Sequence, residues 1–252
     1  MLQCNRRETR VRKPWLLGGL ASLAVIVALL IGFLGYIGYF GGAVFVPVPA
    51  TGRPAPAERG VVAVLFSGDM GFKIGMGPQV AARLAADGIP VIGINSLAYY
   101  RVRRSPAENE ALIAEAARRA LALPGARRVV LIGQSFGADM LQAGLPALPR
   151  ELRNKVALVA LIVPLDTIEY RASPAELFNL APSDAPALST ARRLDWVPVL
   201  CVQGEEETDS LCPLLTMPNV RRVALPGGHP MRHDDHLVHA VLKQAIGAAL
   251  AR

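Results

Sequence analysis

The chain has 252 residues, 52% of them hydrophobic and 19% charged, with a formal net charge of +7. That length suits one α/β domain with an appendage. The charge gives no case for nucleic-acid binding: residues 1–13 carry five basic side chains against Glu8 alone, which leaves 22 basic and 19 acidic residues in the remainder, an ordinary balance for a soluble domain.

Arg6, Arg7, Arg10, Arg12 and Lys13 precede a stretch, Pro14 to Gly52, that contains no charged residue. Within it, Trp15 to Phe40 is almost wholly apolar and exceeds the ~20 residues that a helix needs to cross a bilayer. Residues 14–40 are therefore read as a single transmembrane anchor behind a basic cytoplasmic tail, 1–13, whose charge sends the rest of the chain outward. Tyr36, Tyr39 and Phe40 fall where an interfacial aromatic belt would lie. A cleaved signal peptide with a small-residue site near Ala50 is the competing reading; the apolar run is longer than the ~7–15 residues of a signal core, which favours the anchor. Pro47, Pro49, Pro54 and Pro56 make 41–59 a stiff, extended linker. The folded domain is expected over 60–252, on the side of the membrane opposite the basic tail.

The domain opens with a buried-type strand, Val61 to Phe66. A helix follows over Pro78 to Asp87, stopped by Gly88, and then a strand over Pro90 to Ile94. Ser105-Pro106-Ala107-Glu108 is a helix start, with a capping Ser, Pro at the first helical position and Glu at the third, and the helix should run to about Leu121. Arg128 to Ile132 reads as a strand and Ala138 to Ala143 as a helix. Further strands are expected over 156–163, 198–202 and 222–225, with a closing amphipathic helix over Leu237 to Leu250. Between Asp166 and Asp195 the pattern is irregular, as a cap or lid would be. Alternating, continuously apolar strands and helices indicate a mostly parallel sheet covered on both faces.

Cys201 and Cys212 would stand in an oxidising compartment under this topology. A disulfide across the loop after a strand is preferred over two buried thiols, because free thiols are a liability there.

Between the strand at 128–132 and the helix that follows lies Gly133-Gln134-Ser135-Phe136-Gly137. Strand, G-x-S-x-G and helix together define a nucleophile elbow, whose tight turn needs glycine at both flanks and lifts the serine hydroxyl above the sheet. In an α/β-hydrolase the acid and the histidine follow in that order. All four histidines lie after Ser135. His229, in Pro226-Gly227-Gly228-His229 directly after the last predicted strand, is the candidate general base. His236 and His239, with Asp234 and Asp235, offer a weaker metal-ligating alternative. The acid should come from Gly204-Glu205-Glu206-Glu207-Thr208-Asp209-Ser210. Asp209 and Glu207 are the candidates, and the shorter, stiffer Asp209 is preferred. Two amides are needed for an oxyanion hole. Phe136 supplies one, and Asp69 or Met70 in Ser67-Gly68-Asp69-Met70-Gly71 the other. That loop lacks the Lys-Ser/Thr ending of a phosphate-binding P-loop. Arg101, Arg103 and Arg104 follow the second strand, on the side where α/β sites form, and are candidates for holding a lipid phosphate.

Taken with Leu65 to Asp69, Asn95 to Tyr100, Ser135-Phe136-Gly137-Ala138-Asp139, the run Gly204 to Pro213 and Pro226 to His229, the domain resembles the VirJ/AcvB family of bacterial periplasmic α/β-hydrolases over residues 60–250. The resemblance implies hydrolysis of aminoacylated phosphatidylglycerol, notably the lysyl form, without a cofactor, and links to virulence and type IV secretion proteins. Met70-Gly71-Phe72 and Pro230-Met231 depart from the family's usual Gly-Gly-Trp and His-Phe. A general esterase, lipase or thioesterase on the same residues, and a non-catalytic secretion adaptor, are the rival expectations.

Overall fold

The computed structural model describes residues 14–172 and 183–251 and falls into two units, Met1–Tyr36 and Ile37–Arg252. The first unit contributes helix α1 (Pro14–Ile37), 24 residues long. Along it Leu23, Val25, Ile26, Leu29, Leu30, Ile31 and Phe33 are exposed. Among the described residues no helix is long and apolar enough to cross a membrane. The basic tail, 1–13, lies outside the described residues.

In the second unit the strands are β1 (Phe45–Val48), β2 (Val61–Phe66), β3 (Val91–Ile94), β4 (Arg128–Gln134), β5 (Val156–Ile162), β6 (Thr167–Ile168), β7 (Ala185–Pro186), β8 (Val199–Gly204) and β9 (Val220–Leu225). Seven of them form one sheet in the order β1-β3-β2-β4-β5-β8-β9. Every pairing in it is parallel except that of β1 with β3. The helices are α2 (Met76–Ala86), α3 (Ser96–Tyr100), α4 (Pro106–Leu121), α5 (Phe136–Gly144), α6 (Arg150–Arg153), α7 (Leu188–Ala191) and α8 (Asp235–Leu250). Helix α2 packs against α8, and α4 against α5.

The continuous apolar runs are explained by burial on both faces. In β2, Val61, Ala63 and Leu65 join a core with Val80 and Leu84 of α2 and with Val238, Leu242 and Ile246 of α8. The side chains between them, Val62, Val64 and Phe66, are equally buried and point to the other face, under α4 and α5. The start of α4 follows from its sequence: Ser105 Oγ accepts the Glu108 N–H and the Glu108 carboxylate accepts the Ser105 N–H, a reciprocal capping box.

One expectation needs correction. The segment 41–59 is not a free linker: Phe45–Val48 pairs antiparallel with β3, Glu58 is buried against Lys243, and the unit begins at Ile37 rather than at 60. The prolines hid this strand, but Pro47 is admissible because β1 lies at the sheet edge. Within the irregular segment 166–195, the described part contains the β6–β7 ribbon and α7, and Ala187 N–H donates to the Asp166 carbonyl. Residues 173–182 lie outside the described residues.

Candidate active site

Strand β4 ends at Gln134, and α5 starts at Phe136. Ser135 makes the junction with φ 52° and ψ −128°, a conformation that a non-glycine residue holds only when its surroundings fix it. Its N–H donates to the Ile162 carbonyl at 2.8 Å, and its own carbonyl accepts from Ala138 and Asp139. Both flanking glycines are required by contact. A Cβ on Gly133 would stand 2.5 Å from Ala138 Cα, and one on Gly137 would run into the Phe66 and Ser67 carbonyls of β2 and its loop.

Ser135 Oγ lies 2.8 Å from His229 Nε2, across 94 residues of sequence. His229 Nδ1 lies 2.6 Å from Glu207 Oε1. The loops that carry these groups are bonded to each other: Glu205 N–H donates to the Leu225 carbonyl and Glu206 N–H to that of Gly227. Gly204 is the close-approach residue, since a Cβ there would collide with the Gly227 and Gly228 carbonyls.

The preference for Asp209 as the acid is corrected here. The chain turns back directly after Gly204, whose N–H donates to Glu207 Oε2 at 2.7 Å. That bond fixes one oxygen of Glu207 and presents the other to the imidazole, and the Glu207 side chain is only 2% exposed. Asp209 stands two residues further on in an exposed part of the loop and acts on the imidazole only through its charge. The extra methylene of Glu spans a distance that the shorter acid was expected to cover from a later position.

The His229 imidazole is pushed above its ordinary value, first by the Glu207 hydrogen bond and also by the charges of Glu207, Asp209 and Asp69, while burial pulls the other way. Three carboxylates thus face one imidazole, and only one of them bonds it.

The loop after β2 sits beside the elbow. Gly71 N–H donates to the Gly68 carbonyl, closing a turn around Asp69 and Met70, and a Cβ on Gly68 would be 3.7 Å from Ser135 Cβ. The Asp69 carboxyl is raised from its ordinary value by burial, against the lowering effect of the neighbouring Asp69 and Met70 amides and of His229. Phe136 is the first residue of α5, so its N–H has no partner within the helix.

The three arginines do not converge as a phosphate clamp. Arg101 donates to the Tyr39 carbonyl, Arg103 pairs with Asp184, and Arg104 bonds the Tyr99 carbonyl and Glu108 while lying over the Tyr99 ring. The histidine cluster is also spoken for. His236 and Asp235 both meet Arg83, and His239 meets Asp87. Among the described residues no group of three or more His, Cys, Asp or Glu side chains could hold a metal ion. Cys201 and Cys212 are joined by a disulfide across the loop that carries Glu207.

Several supporting residues were not singled out by composition or spacing. Ser96 N–H donates to Ser67 Oγ and Ser96 Oγ to the Ser67 carbonyl, which ties the loop after β2 to the start of α3. The Tyr100 hydroxyl donates to Asn109 Oδ1, Asn109 Nδ2 donates to the Met140 carbonyl of α5, and the Tyr100 ring meets Phe136 edge-on at 5.2 Å. Their sequence signal was the Asn95 to Tyr100 run, which was noted only as part of a resemblance.

A parallel sheet with its serine elbow at the carboxyl edge, a histidine after the last strand and an acid after the strand before it define the α/β-hydrolase fold. Est1E from Butyrivibrio proteoclasticus is similar at TM-score 0.60 and 13% identity, covering 82% of this chain and 94% of that one. A proline iminopeptidase from Mycobacterium smegmatis (TM-score 0.57, 14% identity, 82% and 95% covered) and the Bacillus licheniformis lipase BlEst2 (TM-score 0.56, 11% identity, 80% and 97% covered) share the architecture. The chain belongs to the bacterial virulence protein (VirJ) family, whose sequence profile matches residues 60–250. No curated protein matches it in sequence.

Proposed function

We propose that this protein is a membrane-anchored serine hydrolase that cleaves an aminoacyl ester, the lysyl or a related aminoacyl ester of phosphatidylglycerol, on the periplasmic face of a bacterial inner membrane. The observation that carries the reading is the continuous chain from Ser135 Oγ through His229 to Glu207, with contacts of 2.8 and 2.6 Å. His229 Nε2 takes the Ser135 proton as Oγ bonds the ester carbonyl carbon, and Glu207 stabilises the imidazolium that forms. The Phe136 amide meets the oxyanion, and the Asp69 or Met70 amide of the loop after β2 joins it. The imidazolium gives its proton to the departing glycerol oxygen as the carbon–oxygen bond breaks. Water, deprotonated by the same histidine, then releases the amino acid from Ser135.

Two observations support the substrate class. Glu207, Asp209 and Asp69 surround the imidazole with more negative charge than a triad needs, which suits an acyl group that brings its own cation. The uncharged run from Pro14 to Gly52 is long enough to cross a bilayer and would hold the enzyme among lipids. Residues 37–44 lead in at the carboxyl edge of the sheet, where the Val44 carbonyl accepts the Asn95 N–H directly after β3. Incubation of the full-length protein in detergent with lysyl-phosphatidylglycerol should release lysine, and the Ser135→Ala variant should release none. Release from simple esters alone would keep the hydrolase and remove the lipid. No hydrolysis of any ester would remove both.

A further inference from the structure

The Ser-Phe-Gly-Ala-Asp run ends in an aspartate that the mechanism above leaves unused. Asp139 stands in the first turn of α5, four residues past Ser135, and is only 4% exposed. A carboxyl group in such a place costs several kcal/mol if ionised and unpaired. Its Oδ1 accepts the Leu165 N–H at 2.8 Å. Leu165 belongs to the segment after β5, and that segment is laddered to the loop bearing the acid: Leu165 bridges Ser210, Asp166 N–H donates to the Asp209 carbonyl, and Leu211 N–H donates to the Pro164 carbonyl. The same segment opens at Val163 with φ 46°, a left-handed conformation that a β-branched residue holds only under constraint.

We propose that Asp139 is a positioning residue that ties the nucleophile's helix to the loop bearing Glu207, so that the serine and the acid reach His229 in one fixed geometry. The inference rests on the hydrolase reading above. Three links form the tie in sequence: α5 to Leu165 through the side chain, Leu165 to Ser210 through the backbone ladder, and Ser210 back to Glu207 within a loop closed by Cys201 and Cys212. Only the first link is a side chain, so it is the one that a substitution can cut. The group acts in this tie as a hydrogen-bond acceptor. Burial raises Asp139 well above the usual carboxyl range, and the charges of Glu169, Glu207 and Asp166 add to that rise, whereas the Leu165 N–H opposes it.

The test compares Asp139→Asn with Asp139→Leu on a soluble p-nitrophenyl ester, reading kcat, KM and the acid limb of the pH profile. Asn keeps an acceptor oxygen and should stay within about threefold of the wild type, with the same limb. Leu keeps volume but no acceptor. It should lower kcat by ten-fold or more with KM little changed, and it should move the limb to lower pH, because the Glu207 bond that raises His229 loosens. A merely structural residue would not move that limb. An Asn variant that is folded and inactive would overturn the proposal, as would a Leu variant with wild-type kcat and limb. Should the Leu variant fail to fold, Asp139→Ser, whose shorter side chain does not reach the Leu165 N–H, is read in its place by the same two criteria. A wild type inactive on every ester would instead defeat the hydrolase reading itself.

Discussion

Replacing Glu207 by Gln is the sharpest perturbation of the site. The substitution preserves size, and Gln Oε1 can still take the place of the oxygen bonded by the Gly204 N–H. The amide nitrogen then faces His229 Nδ1 and donates to it, which places the imidazole proton on Nε2, against Ser135 Oγ. In that tautomer the histidine cannot accept the serine proton. The wild-type bond is 2.6 Å long and made by a side chain only 2% exposed, so solvent cannot substitute for the lost acceptor. The comparable tautomer error in a serine protease triad costs about 10⁴-fold in kcat, or about 5.4 kcal/mol at 1.36 kcal/mol per decade. Because His229 is itself partly exposed, a loss of about 10³–10⁴-fold is expected here. Asp209→Asn should stay within about threefold, since Asp209 acts on His229 only through space. Initial rates on a p-nitrophenyl ester, with folding checked by circular dichroism, measure both. Near-wild-type activity in Glu207→Gln together with collapse in Asp209→Asn would refute the assignment.

The acid limb of kcat/KM follows protonation of His229. Because the folded imidazole is raised above 6.5 by Glu207, Asp209 and Asp69, activity should fall tenfold per pH unit below a midpoint higher than 6.5; a midpoint lower than that would show that these carboxylates do not act on it. Gly137→Ala forces a Cβ into two backbone carbonyls that cannot move aside, and should cost about 3 kcal/mol or more, read as a fall in Tm of roughly 6–12 °C. Gly228→Ala meets nothing within 4 Å and should keep both Tm and activity, so equal damage at the two positions would contradict the packing account. Paired Cys201→Ser and Cys212→Ser substitutions open a loop with a sequence separation of 11 and should lower stability by about 2–3 kcal/mol in a denaturant melt. An unchanged midpoint would mean that the loop is held without the bridge.

Much of the fold was readable because its signals are local. The boundaries of β2 and α4 came directly from an uninterrupted apolar run and a capping box. The elbow was readable because steric rules leave glycine as the residue that fits beside Phe66 and Ala138. Strand β1 was not readable, since its four residues carry a proline and its edge position is set by β3, whose residues pair with it across 43 to 49 positions of sequence. The choice between Glu207 and Asp209 was equally opaque. It depends on the bond from Gly204, which leaves no trace in spacing. Position after a strand placed the arginines near the carboxyl edge, but the partners of Arg101 and Arg103, the Tyr39 carbonyl and Asp184, are distant in sequence, whereas Arg104 bonds Glu108 four residues on.

The most direct test of the account is to treat the full-length protein in detergent with a fluorophosphonate and map the adduct by peptide mass spectrometry. The account predicts a single modified serine, Ser135, with labelling slowed by orders of magnitude in His229→Ala and in Glu207→Gln. A folded protein that takes up no label at Ser135, or one that labels equally well without His229, would contradict it.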